Sequence, residues 1–138
     1  MTLNKRAANA YRNVEVSSAV PYADSVQLIQ MLFDGLIASL SDAEGHFERN
    51  DIKGKNESIG KANKIIIGLQ SALDFEKGKE LAQNLSELYD YCIRRLLKAN
   101  IRNDLEGLVE VKGLMKEISD AWNLVPQLLD DPDVSMAS

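Results

Sequence analysis

The residues of this chain that could support catalysis or metal binding are few. The sequence holds one histidine, His46, and one cysteine, Cys92. A di-metal carboxylate site within a helical bundle needs a Glu-x-x-His motif on each of two helices, whereas here the single histidine follows Glu44-Gly45. His46 is therefore interpreted as a solvated surface residue, and neither a metal site nor a cofactor is predicted.

Cys92 could act as a nucleophile only with a base beside it. It shares an apolar helical face with Leu88 and Leu96, at spacings of four residues, and the chain offers no histidine to pair with it there. A buried structural thiol is the prediction. Arg94 and Arg95 could bind phosphate or an acidic peptide, although a solvated helix face is the commoner setting for such a pair. No catalytic constellation remains, so the protein is predicted not to be an enzyme.

Composition favours a single all-helical domain. The chain has 138 residues, of which 45% are hydrophobic, and this size and content suit one compact domain. Its three prolines lie at positions 21, 126 and 132, so the roughly one hundred residues between Tyr22 and Val125 contain none. A long proline-free stretch with few turn signals is typical of helices.

Charge and hydropathy narrow the class of protein further. A net charge of −5 argues against general binding of nucleic acid, which needs a basic footprint. A single cysteine excludes an internal disulfide and fits a reducing compartment. No apolar run approaches the roughly 20 residues of a membrane span, and the first residues lack the apolar core of a secretory signal. We therefore expect a soluble intracellular protein without membrane insertion.

Capping patterns and apolar periodicity predict four helices that would position these residues. The predicted helices run from Asp24 to about Glu48, from the stretch Ile52–Asn56 to about Leu73, from about Glu80 to Ala99, and from Asp104 through Trp122, with a loop at Asp74–Lys79. Because the connections are short, consecutive helices are expected to be antiparallel neighbours. The predicted fold is an all-α, up-down-up-down four-helix bundle.

The bundle is expected to occupy residues 24–125, with a different segment on either side. Residues 1–23 are predicted to be a mobile N-terminal segment that could form a short helix, and residues 126–138 a poorly ordered tail. Within the bundle, Asn100 is predicted to end the third helix in the left-handed conformation. Asn103–Glu106 has the form of a capping box that opens the fourth helix, so the corner between them should take about three residues.

Each predicted helix carries more apolar residues than one inward-facing stripe needs. The surplus is expected at helix seams or on the outside, in pairs such as Leu28/Met31, Ile65/Ile67 and Ile93/Leu97. Exposed apolar grooves usually bind a protein partner, and an amphipathic helix is a common occupant. The residues by themselves therefore predict a binding module.

Five motifs occur in order over about residues 8–123. They are Ala10-Tyr11, QLIQMLFDG at Gln27–Gly35, GLQSALD at Gly68–Asp74, NLSELYDYCIRRLLKANIRND at Asn84–Asp104, and I-x-x-A-W at Ile118–Trp122. Together, at this spacing, they resemble the FliS family of flagellin-specific export chaperones. Two positions depart from the family pattern, because Asp24-Ser25 stands where members often have Ser-Pro, and Cys92 stands where they commonly have Met.

The resemblance implies a helical bundle that binds the C-terminal segment of newly made flagellin in the cytoplasm. Members of the family keep flagellin from polymerising early and help to deliver it to the flagellar type III export apparatus, whose gate components are further candidate partners. The client is expected to wrap around the bundle and to displace the N-terminal segment of the chaperone. On this basis Tyr11 is expected to be a gate residue, and the expected groove residues are Tyr89, Ile93, Leu97 and Ile101.

A function of another class would use the same apolar surplus in a homodimer. The chain would then be a helical adaptor or structural protein without a flagellin client. As a chaperone it is expected to be a monomer or a weak homodimer, so its mass in solution separates the two hypotheses.

The resemblance generates a first prediction, which concerns Tyr11 and Arg94. Tyr11→Ala should change the affinity or the exchange rate for a flagellin C-terminal fragment, because it removes the expected gate, whereas Arg94→Ala should have little effect. Titration of both variants with the fragment checks this. Equal, large losses of affinity in the two variants would mean that the groove has been misplaced.

Overall fold

The computed structural model describes residues 25–124, and within that range the chain is a bundle of four α-helices without a strand. The helices are α1 (Ser25–Glu48), α2 (Ile52–Ser71), α3 (Phe75–Arg102) and α4 (Leu105–Asn123). Each helix packs against the next, and α4 closes the bundle against α1. The predicted all-α four-helix bundle is thus confirmed, whereas the expectations for residues 1–23 and 126–138 lie outside the described residues.

Hydrogen bonds between helices show the antiparallel arrangement directly. Trp122 near the end of α4 donates its indole Nε1–H to the carbonyl oxygen of Val26 at the start of α1, over 3.2 Å. At the opposite end, Lys55 in the first turn of α2 donates to the carbonyl oxygen of Asn100 near the end of α3. The start of α1 and the end of α4 therefore lie on the same side of the bundle as the α2–α3 connection.

The core is formed mainly by α1, whose buried residues face both of its neighbours. The most deeply buried large side chains are Leu28, Leu32, Phe33, Leu36, Leu40, Ile59, Ile65, Ile66, Leu96, Leu108, Val111 and Met115. Burying one such side chain contributes on the order of 1.5–3 kcal/mol. None of the four described helices is long and apolar enough to cross a membrane.

Two of the residues expected at seams or outside are in fact core residues. Leu28 is buried because it precedes Leu32 by four residues and so extends the same inward stripe. Ile65 is buried because it packs over Gly35 of α1, where an added Cβ would lie 3.6 Å from Ile65 Cδ1. The other members of these two pairs are less buried, since Met31 is half-buried and Ile67 is exposed.

Aspartates begin three of the four helices. Asp51, Asp74 and Asp104 have extended backbone angles, and each side chain accepts a hydrogen bond from a backbone N–H in the first turn of its helix. Such caps satisfy N–H groups that have no partner within the helix, and replacing one by Ala typically costs about 1 kcal/mol.

The predicted loop at Asp74–Lys79 is wrong for most of its length. Because Asp74 caps the N–H groups of Glu76 and Lys77, a helical turn begins at Phe75. Lys79 then interrupts α3 with φ 48° and ψ −121°, and the long part of the helix follows. The break in the helix therefore falls at Lys79, the residue after Gly78.

The corner between α3 and α4 is shorter than predicted. Helix α3 runs to Arg102, and Asn103 rather than Asn100 is left-handed, with φ 53° and ψ 47°. The capping box assigned to Asn103 is wrong, because Asp104 is the N-cap of α4. The extra helical residues are stabilised by Lys55, which donates to the Asn100 carbonyl oxygen and, over 3.0 Å, to Asn103 Oδ1.

The conformation of Lys79 yields a stability prediction. A non-glycine residue with these backbone angles is strained by about 1–3 kcal/mol, and glycine removes that strain. Lys79→Gly should therefore raise the free energy of unfolding by about 1 kcal/mol, as measured by chemical denaturation. The matched control is Lys77→Gly, which lies two residues earlier in the helical turn and should lower stability by about 1 kcal/mol. Equal losses in both variants would contradict a strained Lys79.

Candidate functional site

An apolar cleft opens at the end of the bundle where α1 begins and α4 ends. All four helices contribute to this cleft, which has a volume of about 570 Å³. Its walls are mainly hydrophobic and include Ile29, Phe33, Leu69, Leu73, Leu81, Leu85, Tyr89, Ile118 and Trp122. We call it the apolar cleft.

The local structure of α3 explains why the cleft exists. The interruption at Lys79 separates the first turn of α3 from the rest of the helix, and the small residues Gly78 and Ala82 line the space beside it. Leu81 is left 66% exposed on the same side. Trp122 also lines the cleft, and its hydrogen bond to α1 holds the indole in place. A cleft lined by a hydrogen-bonded indole and an exposed leucine is suited to an apolar side chain from a partner.

Tyr89 forms part of the interior of the apolar cleft. Its residue surface is only 3% exposed, and burial raises the pKa of its phenol above the ordinary value. The phenol is therefore neutral at physiological pH, so Tyr89 offers the cleft an aromatic surface rather than a charge.

A second cleft of about 560 Å³ lies at the opposite end of the bundle, between the α1–α2 and α3–α4 connections. It is lined by His46, Phe47, Asn50, Asp51, Ile52, Lys55, Asn56, Asn100, Ile101 and Asn103. Four of these residues are asparagines, so we call it the asparagine cleft. Two exposed isoleucines also line it, Ile52 and Ile101, which are 67% and 82% exposed.

The four groove residues predicted on α3 connect the two clefts. Tyr89 lies in the apolar cleft and Ile101 in the asparagine cleft, about 18 Å apart along the helix at 1.5 Å per residue. Between them, Ile93 is half-buried against the core and Leu97 is 49% exposed. We call these four residues the α3 stripe.

The change in exposure along the α3 stripe follows from helix geometry. A step of four residues turns about 400° on a helix with 3.6 residues per turn, which is about 40° more than a full turn. Three such steps rotate the side-chain direction by about 120°. The stripe therefore starts at the core at Tyr89 and ends in solvent at Ile101, instead of forming one straight groove.

Sequence reasoning found only part of this surface. Tyr11 lies outside the described residues, so its predicted role as a gate stays a prediction. Leu81 and Ile52 were missed because neither belongs to the inward stripe of its helix. An apolar residue outside that stripe is itself a sequence signal of an exposed side chain, and both residues are exposed. Trp122 packs against the core and also forms part of a cleft wall.

The polar residues between α3 and α4 have structural roles. Arg95 forms ion pairs with Asp104, over 3.1 Å, and with Glu110, over 3.0 Å. Tyr91 donates its hydroxyl hydrogen to Glu110, and this bond together with Arg95 lowers the pKa of the Glu110 carboxyl. Arg95 is thus not the solvated residue expected, whereas Arg94 is exposed and has no ion pair within residues 25–124.

The candidate chemical residues are not arranged for catalysis. Cys92 is fully buried, as predicted, and burial raises the pKa of its thiol to about 11. His46 is half-buried rather than freely solvated, with Nδ1 3.0 Å from Asp51 Oδ2. In the part of the chain that the structure describes, no cluster of three or more His, Cys, Asp or Glu side chains could hold a metal ion.

Comparison with known proteins places these features in one family. The family model "Flagellar protein FliS" matches residues 7–128. The chain is 51% identical over 117 residues to the flagellar secretion chaperone FliS of Salmonella typhimurium, covering 84% of this chain and 87% of that protein. It is 45% identical over 131 residues to the protein of the same name from Escherichia coli, covering 92% and 96%. The FliS of Bacillus subtilis is 36% identical over 113 residues, covering 82% and 80%.

The environment of Cys92 yields a reactivity prediction. A rise of the thiol pKa from 9.0 to about 11 lowers the thiolate fraction at pH 8 by about a hundredfold, and burial slows access further. Reaction with a disulfide reagent should therefore be at least about a hundredfold slower in the native protein than in denaturant. The control is Lys53→Cys in a Cys92→Ala background, which should react at similar rates in both conditions. Fast native labelling of Cys92 would contradict the inert core thiol.

Proposed function

The chain belongs to the FliS family of flagellar chaperones, and we propose that it is a cytoplasmic export chaperone for flagellin. In this proposal it binds the C-terminal segment of flagellin, prevents premature polymerisation, and assists delivery to the flagellar type III export apparatus. Membership of a chaperone family also means that the protein is not an enzyme. The observation that carries the proposal is the match to FliS over residues 7–128.

The apolar cleft and the α3 stripe are the surfaces that suit such a client. An amphipathic helix of the client would place its apolar side chains in the apolar cleft, between Leu81 and Trp122. An extended segment would then follow the α3 stripe across Ile93 and Leu97 towards the asparagine cleft. Several separate contacts fit a disordered client, because ordering it costs free energy that only a large interface can offset.

We further propose that residues 1–23 cover part of this surface in the free protein. The resemblance to FliS implies a docked N-terminal segment, and α1 begins one turn before Ile29, which lines the apolar cleft. Tyr11 would occupy an apolar position that a client side chain takes later. In this proposal residues 24–125 are the binding body and residues 126–138 are a tail without an assigned role.

The chaperone effect follows from competition for the same apolar surface. The side chains that a flagellin terminal segment would bury in a filament are instead buried against the bundle, so self-association is blocked while the complex persists. No covalent step is needed, and the client is released by exchange to the export apparatus. In this proposal the affinity for the flagellin segment and the rate of its exchange determine the chaperone activity.

Leu81 provides the most direct structural test of the proposed client surface. Leu81→Glu should weaken binding of a labelled flagellin C-terminal fragment by about tenfold or more, because it places a carboxylate in an apolar cleft. Stability should change little, since Leu81 is 66% exposed. The matched control is Val109→Glu on α4, which is also an exposed apolar residue but lines neither cleft, and it should bind like the wild type.

Fluorescence anisotropy gives the affinities, and seeded flagellin polymerisation gives the functional effect. Wild type and Val109→Glu should suppress polymerisation at about one equivalent, whereas Leu81→Glu should require a large excess. No binding by the wild type, together with a stable dimer in light scattering, would favour the homodimeric adaptor instead. Equal loss of affinity in both variants would mean that the apolar cleft is not the client site.

A further inference from the structure

Lys55 is a buried cation without a counter-charge in the described part of the chain. Its residue surface is 6% exposed, and no carboxylate within residues 25–124 forms an ion pair with it. Lysines are almost never buried to this degree unless they are paired. Lys55 also lines the asparagine cleft, so its ammonium lies beside a space that a ligand can enter.

The known contacts of Lys55 use part of its hydrogen-bonding capacity. The Nζ donates to the carbonyl oxygen of Asn100 over 3.2 Å and to Asn103 Oδ1 over 3.0 Å, and it lies 5.0 Å from the centroid of the Phe47 ring. An ammonium has three N–H donors, so one remains. Through these bonds Lys55 caps the end of α3, but the accepting groups are neutral and do not neutralise its charge.

The rest of the asparagine cleft is suited to the end of a peptide chain. Side-chain amides of Asn50 and Asn56 can donate to carboxylate oxygens, and the exposed Ile52 and Ile101 offer an apolar surface for a last side chain. Within residues 25–124, Asn100 Oδ1 is buried and has no hydrogen-bond partner. Rotation of that amide towards the cleft would let it accept a hydrogen bond from a peptide N–H.

We infer that the asparagine cleft binds the C-terminal carboxylate of the client polypeptide, with Lys55 as its counter-ion. The inference rests on the proposed function, in which the client segment is the C-terminal one and therefore carries this carboxylate. The α3 stripe leads from the apolar cleft to Ile101 on the wall of the asparagine cleft, so an extended client following it arrives beside Lys55.

Asp51 is the acidic residue that lines the asparagine cleft, and it does not serve as the counter-ion of Lys55. Asp51 caps α2 by accepting from the N–H of Gly54, and its second oxygen lies 3.0 Å from His46 Nδ1. The capping bond and His46 keep the pKa of the Asp51 carboxyl below its ordinary value. Its charge is therefore held at the α1–α2 connection, and the Lys55 ammonium is left for the client.

The test compares two synthetic peptides of the client's C-terminal segment, one ending in a free carboxylate and one in a carboxamide. Amidation removes the negative charge and replaces one acceptor oxygen with an NH₂ donor while leaving the rest of the peptide unchanged, so it should weaken binding to the wild type by at least about tenfold. With Lys55→Met the two peptides should bind within about twofold of each other. The matched control is Lys53→Met, an exposed lysine on the same helix, which should preserve the full effect of amidation.

A second variant keeps the test informative if Lys55→Met unfolds. Asn56→Asp places a negative charge at an exposed position in the cleft and leaves the Lys55 hydrogen bonds intact, so it should weaken only the free-acid peptide. The inference is overturned if amidation has no effect on the wild type, if its effect persists in Lys55→Met, or if Lys53→Met abolishes it. In those cases tight binding of both peptides would leave the proposed function standing, whereas no binding of either peptide would overturn both.

Discussion

A helix with 3.6 residues per turn cannot keep a stripe spaced by four residues on one face, and the exposed apolar surface of this bundle depends on this constraint. Helix α3 contributes Cys92 and Leu96 to the core, while the residues from Tyr89 to Ile101 turn gradually outwards. One helix can therefore complete a closed core and also present apolar side chains to solvent. Since the two sets interleave on one helix, the backbone that presents the exposed side chains is the same backbone that packs into the core.

The position of α3 is fixed at its C-terminal end by charged side chains from two neighbours. Lys55 of α2 binds the last carbonyl region of α3, and Arg95 of α3 pairs with Asp104 and Glu110 of α4. At the other end, the strained Lys79 and small residues leave the apolar cleft open. Polar contacts thus hold α3 beside the asparagine cleft, and the apolar cleft opens at the opposite end of the bundle, so a flexible client that wraps the bundle could contact both ends.

Most of the fold could be predicted from the sequence, because apolar periodicity and aspartate caps act locally. The errors lie where a distant residue decides the outcome. Asn100 and Asn103 both tolerate the left-handed conformation, and the helix ends at Asn103, where Lys55, which is far away in sequence, donates to Asn103 Oδ1 beside the local backbone bond from Asp104 N–H to the Ala99 carbonyl oxygen. The α3 stripe was named from family resemblance, but its rotation from core to solvent and the two clefts at its ends required the packing of all four helices.

We propose that the exposed apolar surface of this bundle is reserved for a client that folds as it binds. The heat-capacity change of binding tests this, from calorimetric titrations at several temperatures with the C-terminal segment of the same organism's flagellin. We expect a one-to-one complex with sub-micromolar affinity and a clearly negative heat-capacity change, because a large apolar area leaves water. Absence of binding, with light scattering showing a stable dimer, would contradict it, since the protein would then cover this surface itself.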